Sequence, residues 1–184
     1  MTATIFSILL GIGLASASGF RVFLPIFALS LASYFNLIPL NDSWDWIGSL
    51  PALISFGTAM IFEIIGYYIP LIDNLLDTIA TPLSAIAGFV VMASTMVDIS
   101  PTLATILAII AGSGTAFAFQ GLTTTARLAS TVKTSTLGNP VVATAETGTA
   151  ITLSTLAIFL PIIAFVAVVL IFLFFYIVYK KIRK

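Results

Sequence analysis

The sequence predicts an all-α, polytopic membrane protein with about five crossings, at least one of them an interrupted or re-entrant helix. Three observations predict it. Of 184 residues, 60% are hydrophobic and only 8% are charged, about a third of the charged share that a soluble domain uses to cover its surface. Mean hydropathy is +1.19. Apolar runs near the 20-residue length of a bilayer crossing recur along the chain, separated by Pro, Gly, Asn and Asp. This composition excludes an ordinary soluble enzyme, a disordered chain and a nucleic-acid binder.

The first apolar stretch, Thr4 to Leu40, is too long for one straight crossing. Ser18-Gly19-Phe20-Arg21 and Pro25 interrupt it. The expected pattern is a helix over Ile5–Ala17, a break, and a second helix over Val22–Phe35. Ala15-Ser16-Ala17 has the small residues of a leader cleavage site, but no Lys or Arg precedes the apolar run, so the segment is read as mature membrane helix. Asn36 to Ser49 is a wet connection carrying Trp44 and Trp46, residues suited to the headgroup level.

A second span is expected from Leu50 to Ile69, ended by Pro70. A short segment, Leu71 to Asp77, then stops before Pro82. The third span is Pro82 to Val97, and the fourth runs from Pro101 to about Gln120. Leu122 to Gly148 contains ten Ser/Thr residues, Arg127, Lys133 and Glu146. It is too long for a plain loop and reads as a partly helical segment packed in, or re-entering, the bundle. The last span, Thr149 to Tyr179, has 31 residues, roughly 46 Å of helix at 1.5 Å per residue. It must tilt, kink near Pro161 or project from the bilayer.

Gly11-x-Gly13-x-Ala15-x-Ala17 is echoed by Gly112-x-Gly114-x-Ala116-x-Ala118, and an Arg follows each copy. Two readings stay open. Either the halves 1–98 and 99–179 form an inverted repeat, or small residues at helical spacing simply allow close packing. Such glycine faces also permit a homo-oligomer. One transmembrane domain over 1–184 is expected, ending in a basic tail, 180–184, that belongs in the cytoplasm.

Seven cations balance seven acids, and the chain contains neither His nor Cys. Thiolate or imidazole metal sites and Ser-His-Asp devices are therefore excluded, and neither enzyme activity nor a cofactor is expected. A charge in hydrocarbon costs roughly 2.5–3.5 kcal/mol on insertion scales unless it finds a partner or water. Arg21, beside the break at Ser18, Gly19 and Phe20, either binds an anionic group with freed backbone N–H groups, or snorkels, or pairs with Glu63. Glu63 lies too deep in its span to be interfacial; it is a proton or cation site, or half of an ion pair. Asp73 and Asp77 share one helical face and imply a cation, a basic partner or a shared proton, unless they form a solvated helix end. Arg127 and Lys133 are pore charges or a solvated face. Glu146 is a coupling residue or a helix-entry charge. Gly138-Asn139-Pro140 forms a turn or shapes a backbone ligand cage.

Ser18-Gly19-Phe20-Arg21-Val22-Phe23-Leu24-Pro25, Glu63 with Tyr67-Tyr68-Ile69-Pro70, Asp73-Asn74-x-x-Asp77 with Pro82, and Leu137-Gly138-Asn139-Pro140 with Glu146 make the chain resemble a family of small bacterial integral membrane proteins known as a domain of unknown function. The resemblance covers nearly the whole chain. It implies a compact multi-helix membrane domain and supplies no catalytic residues.

The function expected from the charges and helix breaks is transport or permeation of a small polar or anionic solute across the inner membrane, coupled to a proton or cation. Arg21, Ser18, Gly19, Phe20, Arg127 and Asn139 would bind the solute; Glu63, Asp73, Asp77 and Glu146 would bind the coupling ion. A carrier of lipid-linked anions and a non-transporting scaffold are the alternatives. The expected partners are the lipid bilayer and a small solute or ion.

Overall fold

The computed structural model describes residues 2–69, 72–134 and 138–182. Pro70 and Leu71, residues 135–137 and the tail residues Arg183 and Lys184 lie outside the described residues, as does the side chain of Lys133. Helices dominate, and there is no strand among the described residues.

The first stretch folds as a broken pair, α1 (Thr2–Ser18) and α2 (Phe23–Tyr34). The break has a local cause. Pro25 sits in the first turn of α2, where its missing N–H is no loss; within a helix continued from α1 it would lack the bond to the Arg21 carbonyl and its ring would clash there. A 3-10 helix over Asp42–Gly48 follows. Asn41 pins it to the end of another helix by donating from Nδ2 to the Met96 carbonyl at 2.9 Å. Next comes α3 (Leu50–Gly66), with Ser49 at its N-cap. The 3-10 helix and α3 meet at 64°.

α4 (Ile72–Thr95) runs straight through Pro82. The expected stop before Pro82 and the separate third span are thereby corrected to one helix. α5 (Pro101–Leu107), a π-helical stretch over Ala108–Ser113 and α6 (Gly114–Thr134) follow each other directly. The fourth span is thus longer than expected, and Leu122–Thr134 belongs to it. The remainder of the Ser/Thr-rich segment enters α7 (Asn139–Phe159). Thr125, Thr134, Thr144 and Thr147 of this segment each donate to the carbonyl one turn back.

The last span is also corrected. Pro161 does not kink one long helix. It opens a new one, α8 (Pro161–Ile182), after Leu160 leaves helical geometry. Ala157 and Ala164 both approach Gly13, while Val142 and Phe175 line one cleft. α7 and α8 are therefore an antiparallel hairpin. Four helices, α4, the α5–α6 rod, α7 and α8, are long and apolar enough to cross a bilayer, and the bent 3-10/α3 pair brings the number to five.

Glycine sets the closest crossings. α4 and the α5–α6 rod run antiparallel and meet at Gly88 and Gly112, where a Cβ on Gly88 would stand 2.5 Å from the Gly112 carbonyl oxygen. The two glycine-motif copies run in the same direction. Gly11 and Gly112 both rest on Met92, and farther along Gly19 rests on Phe119 and Gln120. α1 and the α5–α6 rod are therefore parallel neighbours flanking α4, and both motif copies sit at close helix crossings. Their buried faces fill with Leu10, Leu14, Val91, Met92 and Phe119. The outward faces of α3 and α8 expose Ile54, Phe62, Ile163 and Phe174, as contact with lipid requires.

These directions place the α1 start, the α2 end, Asp42, Asp45 and Asp98 at one end of the bundle. The α1–α2 link, the α4 and α7 starts and the basic end of α8 lie at the other. Gly88→Leu should destabilise the fold by about 1–3 kcal/mol through overpacking. Gly114→Ala, where a new Cβ meets nothing within 4 Å, should be neutral or slightly stabilising; unfolding titrations in mild detergent check both.

Candidate functional site

All four carboxylates predicted within the membrane, and both internal arginines, gather at the end of the bundle that carries the α1–α2 link. Arg21 on that link is 1% exposed. Its Nη1 donates to Glu146 at 3.0 Å and to the Phe20 carbonyl at 3.1 Å. Nη2 donates to the Ala143 carbonyl at 2.8 Å and Nε to Thr147 at 3.0 Å. Four of its five N–H groups thus have protein acceptors. The pairing with Glu63 considered from sequence is corrected: the carboxylate on Arg21 is Glu146, from α7.

Glu63 does something else. Its Oε1 accepts the Val22 N–H at 2.7 Å and its Oε2 the Phe23 N–H at 3.0 Å. It therefore caps the start of α2 from a different helix, satisfying the donors that the break at Gly19–Arg21 exposes. Freed backbone N–H groups were expected to hold a solute anion; Glu63 holds them instead.

Glu146 also binds Arg127 of α6. Arg127 Nε donates to Oε1 at 3.1 Å, and Nη2 contacts Oε2. Asp77 Oδ1 lies 3.5 Å from Arg127 Nε. Both guanidinium carbons lie over the Tyr67 ring, at 4.1 Å for Arg21 and 3.9 Å for Arg127, so a phenol face helps to hold two like charges near one carboxylate. One turn before Asp77, Asp73 accepts from Asn139 Nδ2 at 2.9 Å, and Asn139 also donates to Thr131 at 3.1 Å. That clamp ties the starts of α4 and α7 to α6.

Ser18 and Gly19 are packed inside the bundle, whereas Phe20 lines a cleft that also contains Glu146. Ser18 donates to the Leu14 carbonyl at 3.0 Å. A Cβ on Gly19 would sit 2.4 Å from Phe119 Cβ and 2.6 Å from the Ala116 carbonyl oxygen. Phe20 stacks on Phe119 with centroids 5.3 Å apart. The break is filled by α6. Lys133 lies in the last turn of α6.

Tyr67 is the residue that sequence reasoning passed over. It stands four residues after Glu63, hence on the same helical face, and that spacing was the available signal. Thr147, one residue after Glu146, gave no such signal.

The site gathers four carboxylates against two guanidiniums; Glu63, Asp73 and Glu146 are buried, and the Asp77 side chain is 15% exposed. Arg127 Nη1 and Asp77 Oδ1 are buried without a hydrogen-bond partner. No group of three or more metal-ligating side chains occurs among the described residues.

Lipid-facing helices wrapped around ionised groups define a polytopic helical membrane domain. Within that class the chain belongs to the family described as "Domain of unknown function (DUF4126)", whose model matches residues 8–181. Searches of curated proteins and of solved structures give no match.

Glu146→Ala removes the carboxylate shared by both arginines and should cost about 3–5 kcal/mol, the range for breaking a buried ion pair. Tyr67→Phe keeps the ring face and should cost under about 1 kcal/mol, whereas Tyr67→Leu loses the face and should cost about 2 kcal/mol. Chemical unfolding of the three variants in one detergent checks this order.

Proposed function

We propose that the protein is a membrane transporter whose buried network loads a proton or a cationic group, and that it is not an enzyme. One observation carries the reading: two more carboxylates than guanidiniums are gathered in a low-dielectric site, so full ionisation leaves surplus negative charge that a proton or cation relieves. The occupied N–H groups of Arg21 argue for a cationic cargo or coupling ion over the anionic solute expected from its sequence context. A passive scaffold explains the Arg21–Glu146 pair equally well. It does not explain the acid surplus.

The charges outside the network support an orientation. Asp42, Asp45 and Asp98 lie at one end, and Lys180 and Lys181 close α8 at the other. The positive-inside rule favours the cytoplasmic side of the cell membrane for the basic end, and the network then belongs to the inner leaflet in this reading.

Two measurements test the proposal. The chain has no Cys, so Ser43→Cys and Lys181→Cys report topology without background. An impermeant thiol reagent should label residue 43 in intact cells and residue 181 only after permeabilisation; the reverse result refutes the orientation. In proteoliposomes, proton flux or uptake of small amines should be present in wild type and reduced at least about tenfold in Glu63→Gln and Glu146→Gln, a loss on the scale of one charge-assisted hydrogen bond. Equal flux in all three, or none across an amine panel, would leave the scaffold.

A further inference from the structure

Two clefts reach the network from the sides of the bundle. The first, about 310 Å³, lies between α2, α3 and α4 and includes Phe23, Ala59, Phe62, Glu63, Tyr67 and Leu83 in its wall. Phe62, 70% exposed, and Ile79 stand at its mouth. α3 and α4 touch each other sparingly there, and their outward faces carry Ile61, Ile65, Leu75 and Ile86, all exposed. The cleft therefore opens onto acyl chains, not onto water. The second, about 230 Å³, lies between α6, α7 and α8 and reaches Glu146 past Phe20 and Phe175.

Each cleft has apolar walls and ends on a carboxylate. Neither presents a guanidinium: Arg21 and Arg127 are covered by the Tyr67 ring. An anionic headgroup entering from lipid would meet negative charge in both. We propose that the α2–α3–α4 cleft binds a cationic amphiphile, an alkyl chain ending in a primary ammonium, which enters sideways from the bilayer and sets its head on Glu63. The geometry suits this. Each Glu63 oxygen accepts one backbone N–H, at 2.7 and 3.0 Å, and keeps a second acceptor site for an ammonium donor. The nearby acid surplus supplies the attraction, and Phe62, Ile79 and Leu83 supply a track for the chain. This inference rests on the transport reading and names its cargo class.

The test uses the full chain in phosphatidylcholine nanodiscs and a photoreactive dodecylamine. Labelling should map to α3 and α4 around Phe62 and Ile79. Dodecylamine should compete, while dodecanoate and dodecanol compete at least about tenfold less well. Glu63→Gln should weaken competition by dodecylamine about tenfold or more, and Ala59→Phe, which fills the cleft, should abolish labelling. Because Ala59→Phe risks the fold, Ile79→Trp at the exposed mouth repeats the block. Labelling spread evenly over all lipid-facing helices, or dodecanoate competing as well as the amine, overturns the site. Specific amine labelling without flux leaves the site standing and removes the transport reading; flux without amine labelling does the opposite.

Discussion

Arg21 carries a full charge into a place that water hardly reaches, and the arrangement of the other helices follows from that. A guanidinium removed from solvent costs several kcal/mol unless nearly every N–H finds an acceptor. No single neighbouring helix offers enough of them. α7 supplies Glu146, Thr147 and the Ala143 carbonyl, and the link itself supplies the Phe20 carbonyl. Glu146 is then committed to two cations, Arg127 shares itself with Asp77, and Tyr67 offers its face to both arginines. Each residue is held by another held residue, so the network sets the register between α3, α4, α6 and α7 while glycine crossings elsewhere set their separation.

Glu63 shows how a helix break is tolerated in such surroundings. Ending α1 at Ser18 and restarting at Phe23 exposes backbone donors that hydrocarbon cannot satisfy. A carboxylate from α3 takes two of them. The break and the acid are complementary, and neither is stable alone at that depth. Protonating Glu63, or drawing it towards a cation, weakens the cap on α2. That links charge at the cleft to the hold on a short helix of 12 residues, which is the kind of element that moves most readily.

Much of this was legible in the sequence because it is local. The break around Gly19 and Pro25, the acids inside spans and the polarity of the ends are written in composition and spacing. Proline was the weak guide. Pro82 was read as a stop, yet α4 absorbs it; the span around Pro161 was read as one long helix that tilts, kinks or projects, yet the chain reverses there. A proline says that one N–H is missing, not whether neighbours compensate for it. Pairings were not legible at all. Arg21 and Glu146 are 125 residues apart, and Glu63, a nearer and equally plausible partner, was already committed to backbone.

The same geometry decides what kind of cargo the bundle suits. A water-soluble anion would need an aqueous vestibule leading to a guanidinium with free donors; here Arg21 has four of its five N–H groups occupied, and neither arginine lines a cleft, both lying against the Tyr67 ring. What the surface offers instead is apolar clefts that end on carboxylates. A group that crosses such walls must be apolar along most of its length, and one that stops at Glu63 must donate hydrogen bonds and carry positive charge to be favoured there. Without such an occupant the acid surplus is relieved only by protons. On the transport reading proposed above, proton loading and amine loading are alternatives at one site, and competition between them is the simplest coupling that four clustered carboxylates and two arginines can provide.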